Sequence, residues 1–157
     1  MSIVNNTLSL EHTRVIFSAS SLIGSKIIRL LTGSDWSHVA VAYTADDGEE
    51  RVIEATWPKV KDIPLDEFLL NKTLTVMVDF PCLDSKVALA AAKSKLGCPY
   101  DLLAVLAFLD RVRNWQDSNK WFCSELVVYA LGEGGAKPFR DELQHRVTPQ
   151  ELWMLDP

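Results

Sequence analysis

No cluster of basic residues, no paired-cysteine motif and no long apolar stretch occurs in this chain, and each absence removes a class of function. Lys and Arg together number 16 against 21 Asp and Glu, a formal net charge of -5 over 157 residues, and the basic residues stand singly. Phosphate backbones are gripped by clustered cations, so nucleic acid is not an expected partner. Cys82, Cys98 and Cys123 are an odd set at wide spacings. They offer neither a disulfide framework nor a C-x-x-C zinc pattern, and such usage suits a reducing compartment. The longest apolar run, Leu102 to Leu109, is far short of the roughly 20 residues a bilayer span needs. The first twenty residues lack a basic n-region, and Glu11 and Arg14 interrupt them before a signal-like apolar stretch can build. The expectation is a cytoplasmic protein with no stable membrane anchor, and its oligomeric state is left open.

Repeats, low-complexity tracts and Pro/Ser linkers are also missing, so one domain over residues 1–157 is expected, with enough apolar content, 48%, for a core. Arg14 to Phe17 is short and β-prone. Ser20 or Ser21 can cap a helix in which Leu22, Ile23, Ile27, Leu30 and Leu31 recur at helical spacing, with Gly33 as its stop. Trp36 to Tyr43 and Arg51 to Ala55 read as antiparallel strands joined by the polar segment Thr44 to Gly48. Leu74 to Phe80 reads as a third strand closed by Pro81. Asp84 caps an Ala-rich helix that runs through Leu96 to Gly97, and Asp101 to Val112 reads as a buried helix. Cys123 to Leu131 is another helix, stopped by Gly132, Gly134 and Gly135. Thr148-Pro149-Gln150-Glu151 starts a short final one with a capping box. The fold class is α+β, a small antiparallel sheet packed against helices.

A thiol becomes a nucleophile when its thiolate is stabilised, and the unpaired N–H groups and positive dipole end of a helix N-terminus do this, commonly with a histidine. Cys123 stands where its helix begins, so the same N–H groups can also hold an oxyanion. The histidine follows from strand geometry. If Thr44 to Gly48 is a five-residue loop, Tyr43 faces Glu49 and His38 lies directly opposite Glu54, with Cβ atoms about 4.5–5.5 Å apart on one face. Glu54 would then fix the His38 tautomer and stabilise the imidazolium.

Ser37-His38-Val39-Ala40-Val41, Val52-Ile53-Glu54-Ala55, Leu96-Gly97-Cys98-Pro99-Tyr100-Asp101 and Phe122-Cys123-Ser124-Glu125-Leu126-Val127 occur in this order. Together they resemble the circularly permuted NlpC-like branch of papain-fold cysteine hydrolases, over roughly residues 14 to 153. In that branch histidine and its polar partner precede the cysteine. The resemblance implies Cys123 as nucleophile, His38 as base and Glu54 as the orienting residue. It also implies that Tyr100 lines the substrate site, and that no cofactor is used. Cleavage of an amide, in a cell-wall peptide or another small amide, through an acyl-enzyme is the implied activity.

Blander readings stand beside these. A cysteine at a helix start is often a small buried hydrophobe, and Glu54 can be an ordinary strand carboxylate paired with Lys or Arg. Cys82 and Cys98 read as packing residues, and His12 and His145 as surface residues. Trp36, Trp57 and Trp121 can wall a substrate groove, although aromatic residues more often pack in cores. A zinc site from His38, Cys123 and Cys98 is poorly signalled by single, widely spaced ligands, and no metal is expected. Two other functions remain on the same fold. One is a lecithin:retinol acyltransferase-like thiol acyltransferase, which often has a second histidine and a membrane anchor that this chain does not show. The other is a non-catalytic binding module, for which a cysteine, histidine and glutamate together would be superfluous.

Overall fold

The computed structural model describes residues 10–101, 120–140 and 147–155. The helix expected beyond Asp101, and His145, fall outside them. The described elements run β1 (Glu11–Ser20), α1 (Ile23–Thr32), β2 (His38–Thr44), β3 (Glu50–Ala55), β4 (Val60–Pro64), α2 (Leu65–Leu69), β5 (Lys72–Cys82), α3 (Ser85–Lys93), α4 (Cys123–Glu133) and α5 (Pro149–Trp153). The five strands form one antiparallel sheet in the order β4-β3-β2-β1-β5. This is the α+β arrangement expected, a small sheet with helices against it.

Strand alternation sorts the sheet's side chains onto two faces. Val15, Phe17, Val39, Val41, Ile53 and Ala55 meet the apolar residues of α4, among them Leu126, Val127 and Leu131, in the larger core cluster. Ile16, Ala40, Ala42 and Val52 face the other way and are covered by Ile63 and by Phe68 of α2. α4 is apolar nearly all round because it is buried nearly all round. Each of its fully buried leucines contributes about 1.5–3 kcal/mol by leaving water.

The β2–β3 hairpin differs from its expected register by two residues. The strands stay paired to Ala45 and Glu49, whose N–H···O bond is 2.8 Å, and part only over Asp46, Asp47 and Gly48. Gly48 takes φ 87°, which only a residue without a Cβ adopts freely, and its N–H closes the turn onto the Ala45 carbonyl at 2.9 Å. Tyr43 therefore faces Arg51 rather than Glu49. A slip of two keeps every side chain on its expected face, whereas a slip of one would invert them all.

β1 is ten residues long and takes in Ser20, so the helix after it starts later than its serines suggest. Its N-cap position is Leu22, without a side-chain hydrogen bond. Gly33 ends α1 in the left-handed region as expected. Leu22, Ile23, Ile27 and Leu30, whose spacing marked the helix, are exposed, and α1 is instead tied down by Ser25. The Ser25 hydroxyl lies 2.6 Å from that of Ser37 and accepts the Ser20 N–H at 3.0 Å.

β5 runs past Pro81 to Cys82 because it is an edge strand, where a missing N–H costs no ladder bond. β4 and α2, between Pro58 and Leu70, were not anticipated. Asp84 caps α3 by accepting the Val87 N–H, and Thr148 and Glu151 form the capping box of α5. α4 continues through Gly132 to Glu133. Gly134 follows it so close to α3 that a Cβ there would sit 2.8 Å from the Ala88 Cβ.

Candidate active site

The N-terminus of α4 abuts the start of β2, and there Cys123, His38 and Glu54 meet. The His38 Nε2 lies 2.6 Å from the Glu54 Oε2, with both side chains largely buried. Continuing the β2–β3 register sets Ala40, not His38, opposite Glu54, so this hydrogen bond crosses a diagonal of the sheet. With Nε2 committed to Glu54, Nδ1 is the nitrogen left to serve the Cys123 thiol.

The electrostatics follow from these contacts. Burial pushes the His38 ring toward neutrality, but the hydrogen bonds and charges of Cys123 and Glu54 prevail and raise its pKa to about 9. Burial likewise pushes the Glu54 carboxyl upward. His38, with the ammonium groups of Lys72 and Lys61, prevails and holds it at about 2. The Cys123 thiol is raised by burial and lowered further by His38 and by the backbone N–H groups of Val39 and Ser124, for a net depression. The site thus favours a thiolate beside an imidazolium.

Local sequence explains the placement of the thiol. Phe122 occupies the N-cap of α4 and has no side-chain acceptor, so no N-cap side chain competes for the first-turn N–H groups. Ser124 turns away and donates to the Val147 carbonyl, tying the helix start to the segment that precedes α5. Glu125, the third helical residue, reaches back to the Phe122 N–H.

Tyr100 lies beside the site. It bridges to Trp121, its N–H donates to the Pro58 carbonyl at 2.9 Å, and its hydroxyl is pushed upward by burial and by the charges of Cys123, Asp101 and Glu54. Trp36, expected in a groove wall, is instead a core residue at 5% exposure, with its ring 4.9 Å from that of Trp153 and 5.8 Å from that of Phe17. It is close in sequence to His38, but it precedes β2 and packs into the main core with Phe17 and Trp153. Trp57, just past β3, is exposed, and Trp121 is half-buried against Tyr129.

Three further residues were not singled out from the sequence. Phe68 of α2 stacks on the His38 ring at 5.9 Å and 28°. Lys61 of β4 faces Glu54 across the ladder and places its ammonium 3.3 Å from Oε1. Lys72 of β5 sets its ammonium 4.3 Å from the Phe68 ring centroid. β4 and α2 deliver Lys61 and Phe68, so their role was hidden with those elements.

The family model described as permuted papain-like amidase enzyme, YaeF/YiiX, C92 family, matches residues 10–153. The chain belongs to that family. Permuted papain-like amidases are cysteine hydrolases by class. Among solved structures, the crystal structure of the metalloprotein yiiX from Escherichia coli O157:H7 is similar, with a TM-score of 0.61 and 25% identity. The similarity covers 79% of this chain and 66% of that one, just under two thirds of the yiiX chain. No curated protein matches the chain.

Although yiiX is described as a metalloprotein, the site here does not fit a metal. His38 Nε2 is taken by Glu54, whose two oxygens are held by His38 and Lys61, and among the described residues no three His, Cys, Asp or Glu side chains are placed to hold an ion. Likewise, among the described residues no helix is long and apolar enough to cross a membrane.

Proposed function

We propose that the protein hydrolyses an amide bond, in a cell-wall peptide or another small amide, through a thioester on Cys123. The observation that carries this reading is Glu54 hydrogen-bonded to His38 at 2.6 Å, with His38 at the start of β2 beside Cys123 at the N-terminus of a buried helix. The Cys123 thiolate attacks the carbonyl carbon, and the carbonyl electron pair moves onto oxygen, toward the first N–H groups of α4. Collapse of that intermediate breaks the C–N bond, while the His38 imidazolium gives its proton to the departing amine. His38 then takes a proton from water, the hydroxide adds to the thioester, and the thiolate leaves with release of the carboxylic acid. Glu54 holds the ring and stabilises its charged form without itself taking the proton. Tyr100 borders the space the substrate occupies.

The test is turnover of a panel of peptidoglycan fragments and acyl amides, with melting temperature measured alongside. Cys123→Ser keeps the shape and replaces the ionisable thiol with a hydroxyl, so turnover collapses while the fold survives. His38→Ala does the same, and the double variant loses little more, because members of one catalytic unit are not additive. Wild-type turnover by Cys123→Ser, or loss only through unfolding, would leave a binding module as the better reading. Transfer of the acyl group to an added amine in preference to water would favour an acyltransferase.

A further inference from the structure

Lys72 is a partly buried cation with no carboxylate within 4.0 Å of it among the described residues. Its backbone pairs with Ser20 at the end of β1, beside the start of β2, and its ammonium rests on Phe68, the ring that stacks on His38. That position brings its charge to bear on both Cys123 and Glu54. Burying an ammonium is costly, and aromatic contact alone recovers only part of the cost. Glu54 does not need Lys72 as a partner, because His38 already holds one of its oxygens and Lys61 the other.

The charges around the thiol set Lys72 apart from the other cations. In the ion-pair state Cys123 and Glu54 are negative, while His38, Lys61 and Lys72 are positive. Of these cations, only Lys72 has no carboxylate of its own within 4.0 Å among the described residues, and its ammonium rests on the Phe68 ring alone.

We propose that Lys72 forms a subsite beside Cys123 for a single negative charge on the substrate, a carboxylate close to the carbonyl that is attacked. The proposal deepens the amide-hydrolase reading by naming its substrate class, and it rests on Cys123 as the nucleophile. A single ammonium suits a carboxylate better than a phosphate monoester, which carries nearly two charges at neutral pH. Phe68 serves as the floor of the subsite, holding Lys72 on one side of the site and His38 on the other.

Alkylation tests this without a known substrate. Iodoacetate places a carboxylate next to the carbon the thiol attacks, and iodoacetamide is its neutral counterpart. The rates at Cys123 are measured on the full chain by mass spectrometry of the modified peptide at pH 7, and the iodoacetate-to-iodoacetamide ratio is compared with that of glutathione. A nearby unscreened cation raises the wild-type ratio about tenfold over glutathione. Lys72→Met brings the ratio down to that of glutathione, Lys72→Arg keeps it high, and Lys86→Met, on α3, leaves it as in the wild type.

An unchanged ratio in a Lys72→Met protein that melts normally, or a wild-type ratio no higher than that of glutathione, would overturn the subsite. The iodoacetamide rate alone separately judges the nucleophile, by comparison with Cys98. Protection of Cys123 from iodoacetamide distinguishes the anion's source. N-acetylglycine should protect the wild type and not Lys72→Met, while protection by glycerol phosphate and not by N-acetylglycine would overturn the carboxylate assignment.

Discussion

His38 and Glu54 are not cross-strand partners, yet their side chains meet at 2.6 Å, because both are long enough to span a diagonal of the β2–β3 ladder. The diagonal leaves the direct position opposite Glu54 to Lys61 on its other side. The carboxylate is thus clamped between an imidazole and an ammonium, one on each oxygen.

Glu54→Gln keeps the hydrogen bond to His38 and removes the charge. Because Glu54 helps to raise the His38 pKa to about 9, its neutralisation lowers that pKa. The imidazolium is then lost at lower pH, and the alkaline limb of the pH–rate profile, expected near 9 in the wild type, moves toward neutrality. Turnover at pH 7 falls partially, by about 10- to 100-fold, which steady-state kinetics with the panel substrate measures.

Thiol reactivity is expected to be uneven across the three cysteines. Cys123 has a depressed pKa from His38 and two backbone N–H groups, so iodoacetamide labels it at pH 6–7 well ahead of Cys82 and Cys98. Labelling of Cys123 should weaken only as the pH falls through its lowered pKa. Equal rates at pH 7 would remove the case for a special nucleophile.

Glu125 carries a pH-dependent cost. Burial, aided by the charge of Asp101, outweighs its bond to the Phe122 N–H and raises its carboxyl to about 7, above the unfolded value of 4.5. A raised carboxyl favours the protonated folded state, so this penalty is absent below pH 4.5 and grows as pH rises through 7. Glu125→Gln keeps an acceptor for the N-cap and no charge. It should stabilise the fold at pH 8 by about 1 kcal/mol, or about 2–4 °C in Tm, and have no such effect at pH 4. Thermal melts at the two pH values decide it.

Ser124 joins α4 to the segment before α5 through the buried Val147 carbonyl. Ser124→Ala strands that carbonyl without water or partner and should cost about 1–3 kcal/mol in chemical denaturation. Since Ser124 adjoins the thiol, the same variant should also slow Cys123 alkylation.

How far the chain can be read without its structure depends on how local each signal is. The hairpin of β2 and β3, the helix beginning at Cys123, the Asp84 cap and the Thr148 capping box each rest on residues a few positions apart, and each is visible in sequence. The register of the hairpin was missed by two because Gly48 allows a tighter turn than a five-residue loop. The face of His38 and Glu54 survived, since parity is set by alternation alone. β4 was obscured by Pro58 just before it and Pro64 at its end, in a strand of only five residues. Phe68 and Lys72 carry no local mark at all. They reach His38 and Glu54 only because α2 folds over the sheet and β5 returns along its far edge. Trp36 shows the converse, since closeness to a motif along the chain does not decide which way a side chain points.

The close approach of Gly134 to Ala88 gives α4 a mechanical character. The helix is a stiff rod about 16 Å long, with the thiol at one end and, at the other, a backbone that has no room to move against α3. A methyl group at position 134 would act as a wedge, and a rod pushed at its tail shifts at its tip. Gly134→Ala therefore belongs among the changes that detune Cys123 from a distance, although nothing at position 134 touches the site.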